Sequence, residues 1–331
     1  MNHALIGTRR GLYRLDGDTL EPLGLDQFDV SAVYTRTVDS GASLILAGTY
    51  GDGLLRSTDE GVTWDVIDAG LTAPAFRTIV PDPLDPAAIL CGTEPGRIFR
   101  SIDEGMNWTE YDAIPDLPHA QQWFLPYSPR AGAVRNIHVP SGTKRILASV
   151  EVGGLLDSPD QGAIWTSQPI LGDTDIHFVT SHPNDPNLLF AALGWATLTS
   201  VPVPPDSPSP GGVARSRDGG QTWEKLFTDY TRAVIVPPSM PDLVLAGPAT
   251  AVGGPGRIEV SHDAGDSWSP AGDGVDMPME DMIELFEPAP DGSIWAMRSG
   301  GGLIRAEPGE WRWHSVLPAG VDISVRSIAF T

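Results

Sequence analysis

The sequence predicts an all-β chain, a seven-bladed β-propeller of four-stranded antiparallel blades forming one domain over residues 1–331. Three observations lead there. With 331 residues the chain exceeds the roughly 250–300 residues at which a single core stops growing, which calls for repeats or several domains. Its 37 Gly and 31 Pro are too many for a helical protein. Finally, the pattern Ser-x-Asp-x-Gly-x-x-Trp recurs five times, beyond chance.

The copies are Ser57–Trp64, Ser101–Trp108, Ser158–Trp165, Ser216–Trp223 and Ser261–Trp268, with tryptophans 44, 57, 58 and 45 residues apart and a degenerate sixth copy ending 45 residues further on at Trp313. The chemistry is that of a hairpin turn: Asp accepts backbone N–H groups, Gly takes a positive φ, Ser satisfies another polar group, and Trp buries its ring under the turn. Copies follow short β-rich runs, such as Gly53-Leu-Leu-Arg-Ser and Arg97-Ile-Phe-Arg-Ser, and open another strand at the Trp. The motif therefore joins the third and fourth strands of a unit.

Inner strands come next, at Phe76–Val80, Arg135–Val139, Ile176–Thr180 and Arg232–Val236, and then second strands at Ala88–Thr93, Ile146–Val150, Leu188–Ala192 and Leu243–Gly247. Four strands per unit of about 47 residues make one propeller blade. The N-terminal runs Ala4–Thr8 and Gly11–Leu15 match second and third strands, and Val325–Phe330 matches a first strand. One blade shared by both termini brings the total to seven and leaves no open sheet edge.

The repeat is identified as the Asp-box, or bacterial neuraminidase repeat, of sialidases, sortilin-type receptors, xyloglucan hydrolases and photosystem assembly factors, and the likeness runs through essentially the whole chain. The resemblance implies a propeller but no single activity. Sialidases of this kind have six blades, an early Phe-Arg-Ile-Pro segment, three arginines clamping a carboxylate and a Tyr with a Glu partner; here the nearest string, Arg97-Ile-Phe-Arg100, runs into an Asp-box. Sialidase activity is not expected. The xyloglucan hydrolases pair two propellers across a cleft, and the sortilin-like receptors have ten blades and cysteine-rich modules.

Because strands alternate in direction, the Asp-boxes share one face and any site belongs on the other. That face receives two insertions, near 112–134 and 194–212, offering Trp123, Tyr127 and Trp195 as an apolar wall; long loops of this sort commonly carry function. At one register position of the inner strands stand Arg77, Arg135, His177, Arg232 and Arg326, with Ser31 in the second blade and poor alignment near Met282–Glu284 in the seventh. First strands line the axis, so these side chains either form a basic ring able to pair with carboxylate, phosphate or sulfate, or are a repeat feature in which each pairs with an acid or backbone carbonyl of a neighbouring blade. An arginine patch at this position also resembles that of the photosystem assembly propellers, where it serves protein binding. Neighbouring second-to-third-strand loops supply Tyr50, Asp52, Glu94, Glu151 and Arg298. Glu94, Glu151 and His177 are the candidates for proton transfer, in a hydrolase or lyase.

The formal net charge of -22 argues against nucleic acid and membrane surfaces as partners and leaves a small anionic molecule or an acidic peptide segment. The single Cys91 excludes a disulfide framework and is expected to be a buried strand residue. His138 and His177 could join Glu151 or His119 at a divalent metal, but no motif such as His-Glu-x-x-His indicates one; no cofactor is assigned. No P-loop, dinucleotide or Gly-x-Ser-x-Gly fingerprint stands in a suitable context. The N-terminus has no signal-like apolar run and no stretch approaches 18 apolar residues, so a soluble, cytoplasmic protein is expected. Two functions remain open: a small-molecule site at the axis, catalytic or not, and a noncatalytic interaction propeller.

Overall fold

The computed structural model describes residues 3–38, 41, 43–125, 132–195, 211–321 and 323–331. Seven antiparallel sheets follow one another around an axis. The second runs Val30–Thr37, Ser43–Thr49, Leu54–Ser57 and Asp65–Ile67, and blades 3 to 7 repeat this order from inner strands Ala75–Pro81, Ala133–His138, Ile176–His182, Tyr230–Ile235 and Ile283–Pro288. Blade 1 is closed as expected by both termini: Val325–Phe330 pairs antiparallel with Ala4–Thr8, which hands on to Gly11–Asp16 and Thr19–Pro22.

A four-stranded sheet of this size buries both faces only against its neighbours. Accordingly the hydrophobic core is divided among the seams. Leu44, Leu46 and Ile67 of blade 2 pack with Phe76, Ile89 and Phe99 of blade 3, and Trp295 and Leu303 of blade 7 pack with Ile6 and Ile328 of blade 1. Close approach near the axis needs small residues in the second strands: a Cβ on Gly48 would lie 2.5 Å from Phe76 Cβ, and one on Gly92 would lie 2.5 Å from Val134 Cγ1. Cys91 is buried in the seam between blades 2 and 3.

The Asp-box geometry follows the expected chemistry. In blade 2, Ser57 Oγ donates to Asp59 Oδ1 (2.8 Å) and accepts the Gly61 N–H (2.9 Å), Asp59 accepts the Thr63 N–H (2.9 Å) and hydroxyl (2.6 Å), and Trp64 Nε1 donates to the Gly61 carbonyl (3.1 Å). Hydrogen bonds from Thr63 above all, with one from Ser57, hold the Asp59 carboxyl down to about 2. Glu60 ahead of the glycine is also left-handed, at φ 63°. That turns its carbonyl outward, where Arg14 of blade 1 donates to it at 2.8 Å; Arg56 repeats the contact on Glu104 O at 2.9 Å, and Arg215 does so on Ala264 O. Blade 1 has no box, only the tight turn at Gly17-Asp18. Arg305 of blade 7, which holds the corresponding place, pairs instead with Asp291 and Glu307 beside it in its own blade.

Candidate functional site

The inner strands share a feature that the sequence does not announce. In every blade the pairing with the second strand slips at the same level, so one residue bulges out of the ladder: Arg326, Ser31, Arg77, Arg135, His177 and Glu284 in six blades, and Arg232 with Ala233 in blade 6. A bulge sharpens strand twist and re-aims the side chain it carries. Here seven bulges form one ring around the mouth of an axial cavity of about 880 Å³, lined among the described residues by Arg9, Arg77, Arg135, Arg232, Arg298 and Arg326 and by three acids, Asp29, Glu284 and Glu287.

Counter-charges stand beside five of these arginines. Glu94, fully buried at the end of Ile89–Glu94, meets Arg77 Nη1 at 3.4 Å and accepts the Tyr50 hydroxyl at 3.0 Å. Glu151, buried at the end of Ile146–Glu151, meets Arg135 Nε at 3.2 Å. Arg326 Nε donates to Asp29 at 3.1 Å, and Arg298 Nε to Asp281 at 2.8 Å. The Tyr50 ring carries the guanidinium carbons of Arg77 and Arg326 at 5.3 and 5.6 Å from its centroid, a cation–π arrangement. The expectation of a basic ring therefore needs amendment. Glu94 and Glu151 lie buried behind Arg77 and Arg135, whereas Asp281 is partly exposed and Asp29 lines the cavity itself, so the ring is a set of ion pairs and is not simply positive.

Blade 5 supplies a second cluster. His177 Nε2 lies 3.0 Å from the Tyr230 hydroxyl and 3.3 Å from Asp175 Oδ1, and Arg232 Nε donates to the same Tyr230 oxygen at 2.9 Å. Burial opposes the charge on His177, but the Asp175 carboxylate, with help from Glu151, outweighs it and raises the imidazole pKa; burial likewise opposes ionised Asp175, and His177 outweighs it and lowers the carboxyl. Each shift favours the charged form of its group, and the two side chains are 3.3 Å apart. Burial, partly offset by Arg232, pushes the Tyr230 phenol above its ordinary value, which keeps it protonated. His177 Nδ1 and Asp175 Oδ1 are buried without a hydrogen-bond partner.

Ligand atoms of Glu151, Asp175 and His177 lie within 4.8 Å of one another and could hold a cation. The guanidinium of Arg135, already on Glu151, and the raised pKa of His177 both oppose that use. His138 does not join them: it lies on the next inner strand with Nε2 2.8 Å from Ser181 Oγ, and burial lowers its pKa to about 4.

Of the expected apolar wall, the two members among the described residues do not line the cavity. Trp123 is buried in the seam between blades 3 and 4 beside Val134 and Val150, not on the cavity. Trp195 is 73% exposed, with its backbone N–H donated to Asp175 Oδ2 at 3.0 Å; Tyr127 lies outside the described residues. Three site residues are not evident from the sequence. Glu284 is hidden by its reversed charge, although Ile283-Glu284-Leu285 aligns with Val134-Arg135-Asn136. Asp175 and Tyr230 precede the ring positions His177 and Arg232 by two, and this repeated offset is a usable signal.

Among comparisons with known proteins, the family model for the BNR/Asp-box repeat matches residues 214–225, the blade 5 box. No curated protein matches the chain. Several solved structures do. An ancestral GH74 enzyme is 12% identical over 87% of this chain and 36% of its own, with TM-score 0.57; the GH74 enzyme of Niastella koreensis is 14% identical over 95% and 63%, with TM-score 0.53. This chain thus spans less than two thirds of either enzyme. YCF48 bound to D1 peptide is 18% identical over 92% of this chain and 89% of its own, with TM-score 0.59. At such identities the likeness is one of fold. Repeats and blades together make this chain a seven-bladed β-propeller of the Asp-box type.

Proposed function

We propose that the axial cavity is a binding site for a small anionic ligand, held by Arg77, Arg135, Arg232 and Arg326. One observation carries this reading: six guanidinium groups line a single cavity of about 880 Å³ while Glu94 and Glu151, which orient two of them, are buried behind. An arginine fixed from behind by a carboxylate loses little freedom on binding, which favours affinity, and its remaining N–H donors match carboxylate or phosphate. The volume is that of a small-molecule pocket. Turnover at this site, as a hydrolase or lyase, would draw on His177 and Tyr230 for proton transfer, with Asp175 holding the imidazole.

A second reading keeps the same arginines but gives them an acidic peptide segment. It is favoured by the likeness to YCF48, a propeller solved with a bound peptide. Thermal-shift and calorimetric titrations with acetate, succinate, sugar acids, phosphate and an acidic peptide decide between the two. The small-anion reading expects a shift that is lost in Arg77→Ala and Arg326→Ala. Response to the peptide alone favours the interaction propeller, and silence towards every anion overturns both.

A further inference from the structure

The ring has one reversed member. Where five blades place Arg or His, blade 7 places Glu284, and its carboxylate leaves its own blade. Arg232 Nη1 of the adjoining blade 6 lies 2.7 and 3.0 Å from the two oxygens. On the other side, Arg135 Nη2 of blade 4, three blades away around the ring, lies 4.0 Å from one of them. A side chain touching both stands over the axis, in the space that a ligand entering from this face must use.

We propose that Arg135 and Arg232 form a carboxylate subsite and that Glu284 is its resident occupant, a built-in stand-in that an incoming carboxylate displaces. The inference rests on the axial anion site proposed above and names the ligand class and its place. The contacts are those of an occupant held from one side, short to Arg232 and long to Arg135. Arg232 gives Glu284 one of its terminal nitrogens, and its Nε is committed to Tyr230. Arg135 gives its Nε to Glu151 and approaches Glu284 beyond hydrogen-bond range. A free carboxylate placed between them can take terminal N–H donors from both guanidinium groups in the two-pronged geometry such pairs prefer. Glu284 is still partly exposed to the cavity, so it can turn into cavity water. Its departure leaves Arg135 and Arg232 facing one point, where a ligand's negative charge replaces the one removed.

Glu284→Gln removes the resident charge and keeps the volume, and Glu284→Ala leaves a hole of carboxylate size. Acetate, formate and succinate are titrated into wild type and both variants by calorimetry and by melting temperature, with phosphate and sulfate as comparison anions. The expected result is at least tenfold tighter carboxylate binding by Glu284→Gln than by wild type. In Glu284→Ala, formate and acetate should restore a melting temperature lowered by the substitution, and adding Arg135→Ala should abolish the rescue. Should Glu284→Ala fail to fold, the Glu284→Gln titration decides the matter alone. If wild type binds anions and Glu284→Gln binds carboxylates no better, the subsite falls while the axial reading stands. The subsite falls likewise if only phosphate and sulfate gain. If no form responds to any anion, both fall.

Discussion

The Tyr50 hydroxyl lies 3.0 and 3.1 Å from the two oxygens of Glu94, a carboxylate with no solvent exposure. Tyr50 comes from blade 2 and Glu94 from blade 3, and Arg77 completes the group at 3.4 Å. The contact therefore ties a seam together at the level of the cavity.

Removing either partner should show which role matters more. Glu94→Ala leaves the cavity-facing Arg77 without its carboxylate and is expected to cost about 3–5 kcal/mol, less where cavity water reaches the guanidinium. Tyr50→Phe loses one hydrogen bond to a charged group, about 1.5–3 kcal/mol, and keeps the ring between the two arginines. Urea unfolding of both variants checks the order; equal losses would mean that the Arg77–Glu94 pair contributes nothing beyond the hydroxyl contact.

Deeper in the channel, burial pushes the Glu287 carboxyl up to about 7. A folded-state pKa above the unfolded value of 4.5 means that the native state binds the extra proton, so stability falls as pH rises from about 4.5 to 7. Glu287→Gln should accordingly raise the melting temperature at pH 8, by up to about 3 kcal/mol of stability, less where channel water reaches the group. At pH 4 the variant and wild type should melt together. A stabilisation independent of pH would remove titration as the cause.

Gly92 permits blades 3 and 4 to meet. Any side chain at that position must displace Val134, whose Cγ1 would lie 2.5 Å from the new Cβ. Gly92→Val is expected to cost about 1–3 kcal/mol by overpacking, and the double variant Gly92→Ala, Val134→Ala should recover part of the loss in Gly92→Ala. Additive costs in that pair would rule out the steric explanation.

The arginines that brace the Asp-boxes offer an internal control. Both Arg215 and Arg305 pair with two half-exposed acids, Glu224 and Asp266 for the one and Asp291 and Glu307 for the other, but Arg215 is 5% exposed and also donates to the blade 6 box carbonyl at Ala264, whereas Arg305 faces a blade without a box. Arg215→Ala should cost about 1.5–3 kcal/mol and Arg305→Ala less than about 1 kcal/mol. Equal costs in chemical denaturation would show that the box carbonyl contributes nothing to the seam.

Much of the architecture is legible in the sequence because it depends on local chemistry repeated many times. Ser57, Asp59, Gly61 and Trp64 act within eight residues, so the turn is complete in the sequence, and five such turns set the blade period. The ring positions Arg77, Arg135, His177, Arg232 and Arg326 are likewise readable from their register with the following Ile or Val. The pairing of the charges is not. Glu94 and Glu151 serve arginines on neighbouring strands whose pairing depends on a bulge, and no residue type marks that bulge, since Ser, Arg, His and Glu all occupy it.

The sequence by itself determined the blade, the number of blades and the closure by both termini, because hydrogen-bonded turns and alternating apolar positions specify strands without reference to distant residues. Only the tertiary structure decided what the ring is. Ring closure brings Arg135 of blade 4 and Glu284 of blade 7 to 4.0 Å across 149 residues of sequence. The meeting of charges over the axis depends on the radius and bulged register of seven packed sheets, a property of their packing against one another and of no single blade.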